Sequence, residues 1–308
     1  MVHTSMIFNN ALFEGNDAFR QALLLLEKGN HSLFLTGKAG TGKSTFLRHF
    51  AANTSKKHVV VAPTGVAAVN VRGVTLHSFF HLPFGAIMPD DHRVEKISFR
   101  KNVQKVMEEM ETLIIDEVSM VRADLLDAVD MVLRRARRKA LPFGGVQVLL
   151  VGDLFQLEPV VQREEWEWLR NYYETPYFFS AKVFKELDPF RIELKKVYRQ
   201  SDSDFIHLLN QVRSGDAEKH DIDQLNKRVL LESGEQVGEF YITLTSTRRS
   251  ADETNDRQLR RLNTAEYTFK GKLEGDYPPS ALPTDMELKL KEGAQVMFVK
   301  NDLSDEIL

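Results

Sequence analysis

Cysteine is absent from all 308 residues. That absence excludes a disulfide scaffold and any cysteine-held zinc, and it makes a reducing cytoplasm the expected compartment (the nucleoid, if the source is bacterial). Long apolar runs are also missing. The most apolar short windows, Leu23–Leu26 and Val146–Val151, fall far short of the ~20 residues that a membrane span needs, so no membrane partner is expected. The opening stretch MVHTSMIFNNALFEG lacks the basic start, apolar middle and small-residue cleavage site of a signal peptide. No excess of charge exists either: the formal net charge is −3. A domain that coats nucleic acid is usually basic, but a groove needs only local positive charge, so this balance does not decide the matter. Repeats and low-complexity tracts are lacking. The 43% hydrophobic content is that of an ordinary soluble enzyme, and the length suits two α/β lobes.

The first half alternates two kinds of pattern. HSLFLT (31–36), HVVVA (58–62), TLIID (112–116) and VQVLLVG (146–152) are near-continuous apolar runs, as buried parallel strands require. Amphipathic stretches lie between them, at Ser44–Ala52, Lys101–Met110 and Ser119–Lys139. Strands that alternate with helices predict an α/β fold with a parallel sheet. The segment 81–99, with two prolines and a glycine, breaks the rhythm and reads as a small insertion. A boundary is expected at 188–189, dividing a first lobe over 1–188 from a second over 189–308. The second lobe is expected to hold a helix at Asp202–Ser214, a strand at 240–245, a helix at Arg248–Leu262, and strands at Tyr267–Leu273 and Ala294–Val299. It reads as incomplete at its C-terminus.

Residues 37–44 read GKAGTGKS, which is G-x-x-x-x-G-K-[ST] between a strand and a helix. This is the phosphate loop of a RecA-like P-loop NTPase. Chance matches arise in roughly one chain in a hundred of this length, and the flanking elements lower that further. Glycines let backbone N–H groups turn inward, and the helix N-terminus adds its dipole. Gly37, Gly40, Thr41, Gly42, Lys43, Ser44 and Thr45 are therefore the expected ATP contacts. Lys43 serves the β- and γ-phosphates and Ser44 a Mg²⁺ ion.

LIIDEVSM (113–120) sets Asp116 and Glu117 at the carboxyl end of a buried strand, where ligands of parallel sheets sit. Asp116 is expected to hold Mg²⁺ through water, and Glu117 to polarise the attacking water. The plain alternative, a pair of acids heading a helix, suits an isolated "DE" better than one downstream of a phosphate loop. VQVLLVGDLFQLEPV (146–160) ends toward the same edge and makes Gln156 a candidate γ-phosphate sensor. LKKVYRQ (194–200) carries Arg199, a candidate for stabilising transition-state charge. By spacing alone a surface arginine is the better reading of Arg199, and only the shared edge favours Gln156 as a sensor over an ordinary loop glutamine. The basic run Arg134, Arg135, Arg137, Arg138 and Lys139 reads as a helix C-terminal turn that complements the dipole, with phosphate contact as the alternative.

Taken in order, these blocks resemble the petite-integration-frequency (Pif-type) helicases of superfamily one. GKAGTGKST, VAPTGVAAVNVRGVTLHSFF (61–80), LIIDEVSM, the stretch DLLDAVDMVLRRARRKALPFGGVQVLLVGDLFQLEPV (124–160), LKKVYRQ and LTSTRRSADETN (244–255) follow that family's motif order. In the last of these, Arg248 stands where the family usually has asparagine. The resemblance implies ATP- and Mg²⁺-dependent 5′→3′ movement on single-stranded DNA and the unwinding of duplexes or G-quadruplexes at single-strand/duplex junctions. It implies that Lys43, Ser44, Asp116, Glu117, Gln156 and Arg199 serve ATP. It also implies a DNA track through Pro63, Thr64, Val66, His77, Ser78, Phe80, Thr245 and Thr247, with 81–99 as a wedge. His77 and Phe80, three apart, would share a helical face and stack on a base, although on the residues alone core packing is the better reading. The family's adenine-reading glutamine has one candidate here, Gln21. Its last motifs, which carry a second arginine for ATP, are absent, and the expectation is a truncated chain that acts as a monomer. Two other readings are a nucleotide-gated binding module that does not unwind and a P-loop enzyme acting on a small molecule.

Overall fold

The computed structural model describes residues 16–29, 31–198, 203–229, 242–273, 282 and 284–297. The chain divides into two compact units, Met1–Asp221 and Ile222–Leu308.

Unit one begins with α1 (Asp17–Lys28), β1 (Leu33–Gly37), α2 (Lys43–Asn53), β2 (His58–Ala62), α3 (Gly65–Asn70), β3 (Val74–Thr75) and α4 (Leu76–Phe80). It continues through α5 (His92–Glu95), α6 (Lys101–Glu109), β4 (Thr112–Ile115), α7 (Ala123–Arg137), β5 (Gln147–Gly152), α8 (Arg163–Leu169), α9 (Lys182–Leu187), β6 (Phe190–Leu194) and α10 (Ser203–Ser214). The strands form one sheet in the order β3-β2-β4-β5-β1-β6, and every pairing is parallel.

Both faces of the sheet are covered, which is why the apolar runs are continuous. Leu33 and Leu35 of β1, Ile114 of β4, and Leu149 and Val151 of β5 pack against α1 and α2, through Phe19, Leu23, Phe46 and Phe50. The intervening residues Phe34, Leu113, Ile115, Val148 and Leu150 pack on the other face with α7, through Leu126, Val129 and Leu133. The predicted strands thus form where the runs lie, within one or two residues at each end. The long helix expected at Ser119–Lys139 is instead a 3₁₀ turn at Val118–Met120 followed by α7.

The basic run has structural partners. Arg134 Nε bonds Asp130 at 2.7 Å and its Nη2 bonds Glu186 at 2.7 Å. Arg135 donates to the carbonyls of Val94 (3.0 Å), Ile97 (2.7 Å) and Glu95. Arg137 donates to those of Met107 (2.8 Å), Met110 (2.9 Å) and Gly144 (2.9 Å). Arg135 and Arg137 thereby add donors to carbonyls at the ends of α5 and α6. The PFGG turn after α7 is equally structural. Phe143 is fully buried, its N–H donates to Asp130 at 2.6 Å, and Gly144 sits at φ 62, where a Cβ would lie 2.6 Å from the Leu133 carbonyl.

The insertion at 81–99 contains α5 and no strand. It is fastened to the first unit. Leu82 and Ile87 enter its core, Asp124 accepts the Ile87 N–H at 2.9 Å, and Arg122 reaches the Gly85 carbonyl at 2.7 Å.

The boundary expected at 188–189 requires correction. β6 pairs with β1 from Leu33↔Phe190 to Gly37↔Leu194, so the sheet is complete only after the point where a second lobe was expected. The contact boundary lies at 221–222, within α11 (Lys219–Asn226). Unit two holds α12 (Arg248–Arg261) and an antiparallel pair, β7 (Glu266–Lys270) with β8 (Glu287–Lys291). Residues 242–245 and 294–297 form no strand, contrary to expectation; the rest of those two expected strands lies outside the described residues. The strand that pairs with β7 is ELKLK, whose polar alternation marks a two-stranded ribbon rather than a buried parallel strand.

Candidate functional site

Three neighbouring strands, β4, β5 and β1, end at one edge of the sheet, and each delivers functional residues there. The phosphate loop leaves β1. Gly37 lies so close to β6 that a Cβ would stand 2.5 Å from the Leu194 carbonyl and 2.7 Å from Thr41 Oγ1. Gly40 and Gly42 adopt φ 77 and φ 93, a region that favours glycine, and Gly42 immediately precedes α2. Thr41 is buried and its hydroxyl donates to the Lys38 carbonyl at 2.8 Å, closing the loop on itself. Lys43 Nζ donates to the carbonyls of Gly37 (2.6 Å) and Lys38 (3.1 Å). Burial lowers the Lys43 pKa, while Asp153, Glu117 and Asp116 act to raise it. Ser44 is exposed and Thr45 half-buried in the first turn of α2.

Asp116 follows β4 and is buried; Glu117 follows it in the left-handed region, at φ 48. Burial, and then the charge of Glu117, push the Asp116 carboxyl up to about 6. A divalent cation bound there would offset the repulsion from Glu117, the lesser of the two causes. Gly152 lets the end of β5 approach this pair. A Cβ there would lie 2.9 Å from Val118 Cγ1 and 3.1 Å from Ser119 N.

The β5 end brings a residue that the sequence reading did not single out. Asp153 is 1% exposed and accepts from three donors: Gln156 Nε2 at 3.1 Å, the Phe155 N–H at 3.2 Å, and Arg213 Nη2 at 2.7 Å. Burial pushes this carboxyl up, but Arg213 and the other donors outweigh it and hold it below the usual carboxylate range. The Arg213 guanidinium also lies 4.2 Å from the Phe155 ring centroid. Gln156 itself is exposed, with its amide fixed by Asp153.

Arg199 lies outside the described residues, but its neighbour Tyr198 does not. The Tyr198 N–H donates to the Gly40 carbonyl at 2.8 Å, and its hydroxyl accepts from Asn16 Nδ2 at 3.0 Å. A ring 48% exposed is thereby held on the phosphate loop. Gln21, the candidate adenine reader, projects from the exposed side of α1, and Asn16 rather than Gln21 touches the residue beside the loop.

The expected DNA track divides. Thr64, Thr75 and Thr247 cap α3, α4 and α12, accepting from Ala67, Ser78 and Ser250 N–H groups. The Thr245 hydroxyl donates to the Thr247 carbonyl at 3.0 Å. Pro63 is half-buried, and Val66 and Ser78 are exposed. Phe80 must be withdrawn as a stacking residue: it is fully buried in the first-unit core, 4.9 Å from the Phe79 ring. In a helix as short as α4, Leu76 and Phe80 share the core face, and nothing turns Phe80 outward. His77 is half-buried and stacks on Phe84 at 5.5 Å. Its burial, and then Arg122, hold the imidazole pKa below the usual value, so the ring is neutral at neutral pH. Phe84, from the insertion, is 47% exposed.

The profile of the PIF1-like helicase family matches residues 14–223. The chain belongs to the PIF1-like helicase family. Among curated relatives, the "ATP-dependent DNA helicase RRM3" of Saccharomyces cerevisiae is 34% identical over 300 residues, which cover 92% of this chain and 40% of that protein. The human "ATP-dependent DNA helicase PIF1" is 35% identical over 279 residues, covering 88% of this chain and 41% of that protein. The chain thus spans about two fifths of the length of these relatives. Among solved structures, a Bacteroides Pif1 bound to ssDNA superposes with a TM-score of 0.83 at 37% identity, covering 93% of this chain and 65% of that one. The Bacteroides Pif1 complex with ADP-AlF3 and ssDNA gives a TM-score of 0.81 at 37% identity, covering 92% and 65%. A third PIF1-like structure, described as two coordinating Pif1 helicases at forked dsDNA, gives 0.80 at 36% identity, covering 89% and 64%. The α/β class with a parallel sheet, expected from the alternating strands and helices, is therefore the class of this PIF1-like chain.

Proposed function

We propose that this chain carries the ATPase site and part of the DNA track of an ATP-dependent 5′→3′ DNA helicase that acts on single strands and their junctions with duplex, as a monomer in the cytoplasm or nucleoid. The observation that carries this reading is the meeting of Lys43, Asp116, Glu117 and the Asp153–Gln156 loop at one edge of a parallel sheet. PIF1-like relatives bearing the names ATP-dependent DNA helicase, and relatives solved with ssDNA and ADP-AlF3, support it.

Bound ATP·Mg²⁺ supplies the phosphoryl group to be transferred and the counter-charge that lets both acids stay ionised. Lys43 exchanges the carbonyls of Gly37 and Lys38 for phosphate oxygens. Ser44, and Asp116 through water, would hold the Mg²⁺ ion. Glu117 orients the attacking water and accepts its proton. Gln156 reports the γ-phosphate to the β5 loop, and Arg199 neutralises charge in the transition state. Tyr198 offers the base a fixed ring face.

On the DNA side, Pro63, Thr64, Val66, His77 and Ser78 are the contacts of the first unit, and Thr245 and Thr247 are those of the second. Thr64 and Thr247 accept from their own helices and keep a hydroxyl hydrogen for a phosphate. Phe84 takes the stacking role first assigned to Phe80, because its ring is exposed and backed by His77. The test is strand displacement by the natural protein on duplexes with a 5′ or a 3′ single-stranded tail. ATP-dependent displacement confined to the 5′-tailed duplex is expected; binding without displacement would refute the helicase reading.

A further inference from the structure

Gln156 has a problem that the ATPase reading leaves open. It is an exposed side chain on a loop, and a γ-phosphate sensor has to be held in one geometry. Free rotation of an exposed glutamine disperses it over many rotamers. Its amide is held by one partner, the nearly inaccessible Asp153 carboxylate. That carboxylate is itself held by Arg213, which lies 60 residues farther along the chain, on α10.

We propose that Arg213 is a positioning residue of the ATPase site, which acts through Asp153 to set the Gln156 amide. The inference rests on the reading of the chain as an ATPase. Three features of Arg213 carry it. Its Nη2 meets Asp153 Oδ1 at 2.7 Å, on the oxygen opposite the one that accepts from Gln156. The two donors therefore hold one carboxylate oxygen each. The guanidinium face lies over Phe155, which fixes its orientation as a point charge could not. Lastly, its charge lies close enough to Lys43 to act on that residue electrostatically, which places the ion pair at the phosphate loop and not at a distant surface. Without Arg213, Asp153 becomes a buried carboxylate without its cation, and such a group reorganises or protonates. Either outcome releases Gln156.

The test is a steady-state ATPase comparison in the natural protein of Arg213→Gln, Gln156→Ala and the double variant, with Arg213→Lys as the conservative replacement. Arg213→Gln is expected to lower kcat about tenfold to a hundredfold, as small displacements of a positioned group do, with KM for ATP changed less than about threefold. The double variant is expected to be no slower than the slower single variant, because both substitutions break one linkage. Arg213→Lys keeps the charge and loses the planar fork, so it should recover part of the loss. Should Arg213→Gln fail to fold, Arg213→Lys with Gln156→Ala gives the same cycle with a smaller loss. Three results overturn the proposal: unchanged kcat in Arg213→Gln, a rise in KM alone, or losses that multiply in the double variant. Normal turnover in Gln156→Ala alone would instead sink the role of Gln156, and with it the route assigned to Arg213.

Discussion

Replacing Asp116 by asparagine should stabilise the protein at alkaline pH while abolishing its function. The carboxyl is buried and stands beside Glu117, and its pKa is raised from 3.8 to about 6. A group that binds its proton more tightly in the folded state favours folding at low pH. That contribution is lost as pH rises from about 4 to about 6 and stays lost above it. The rise corresponds to about 3 kcal/mol at pH 8 and to about half of that at pH 5. Asparagine fills nearly the same volume without a charge, so Asp116→Asn should gain up to that amount at pH 8 and progressively less toward pH 5. Urea unfolding in the presence of a metal chelator measures this. Both tryptophans, Trp166 and Trp168, lie on α8 of the first unit, so their fluorescence follows the unit that contains the substitution. A gain that does not depend on pH, or a loss of stability at pH 8, would refute the account of Asp116. Magnesium should oppose the effect in the parent chain and leave the variant unchanged, because bound cation relieves the repulsion only where the acid is present.

Glu117→Gln should bind ATP at close to parental affinity and lose hydrolysis by at least about a hundredfold, as expected for removal of a general base; nucleotide-binding fluorescence beside a turnover assay separates the two, and normal turnover would remove Glu117 from the chemistry. Phe80→Ala should cost about 3–5 kcal/mol of stability, the ordinary penalty for truncating a buried phenylalanine, without weakening single-strand binding by the folded protein. Phe84→Ala should do the reverse, lowering affinity for an oligonucleotide by about 1–3 kcal/mol with little change in the unfolding midpoint; anisotropy with a labelled oligonucleotide and a melting curve decide both, and loss of DNA affinity confined to Phe80→Ala would reinstate the first assignment.

The central strands were legible in the sequence because burial on both faces writes them as unbroken apolar runs, and the phosphate loop because its glycines have to stand where they do. β6 was not, since FRIEL at the sheet edge leaves Arg191 and Glu193 in water and reads like the start of a new lobe. Only the family resemblance puts Phe80 on the DNA track, whereas core packing, the better reading of the residues themselves, is what the structure has. The supports of the site were illegible for another reason. Asn16 meets Tyr198 across 182 residues and Arg213 meets Asp153 across 60, and no local pattern announces either pair. The basic run at the end of α7 shows the same limit. Five cations in six residues read as the C-terminal turn of a helix, but the carbonyls that Arg134, Arg135 and Arg137 reach are not legible there.

ATP hydrolysis by the natural protein, measured with and without a single-stranded oligonucleotide and alongside Lys43→Ala, tests the central claim most directly. Turnover that the oligonucleotide stimulates, and that Lys43→Ala abolishes in both conditions, is the result predicted. Turnover indifferent to DNA would leave a P-loop ATPase of another kind and contradict the account.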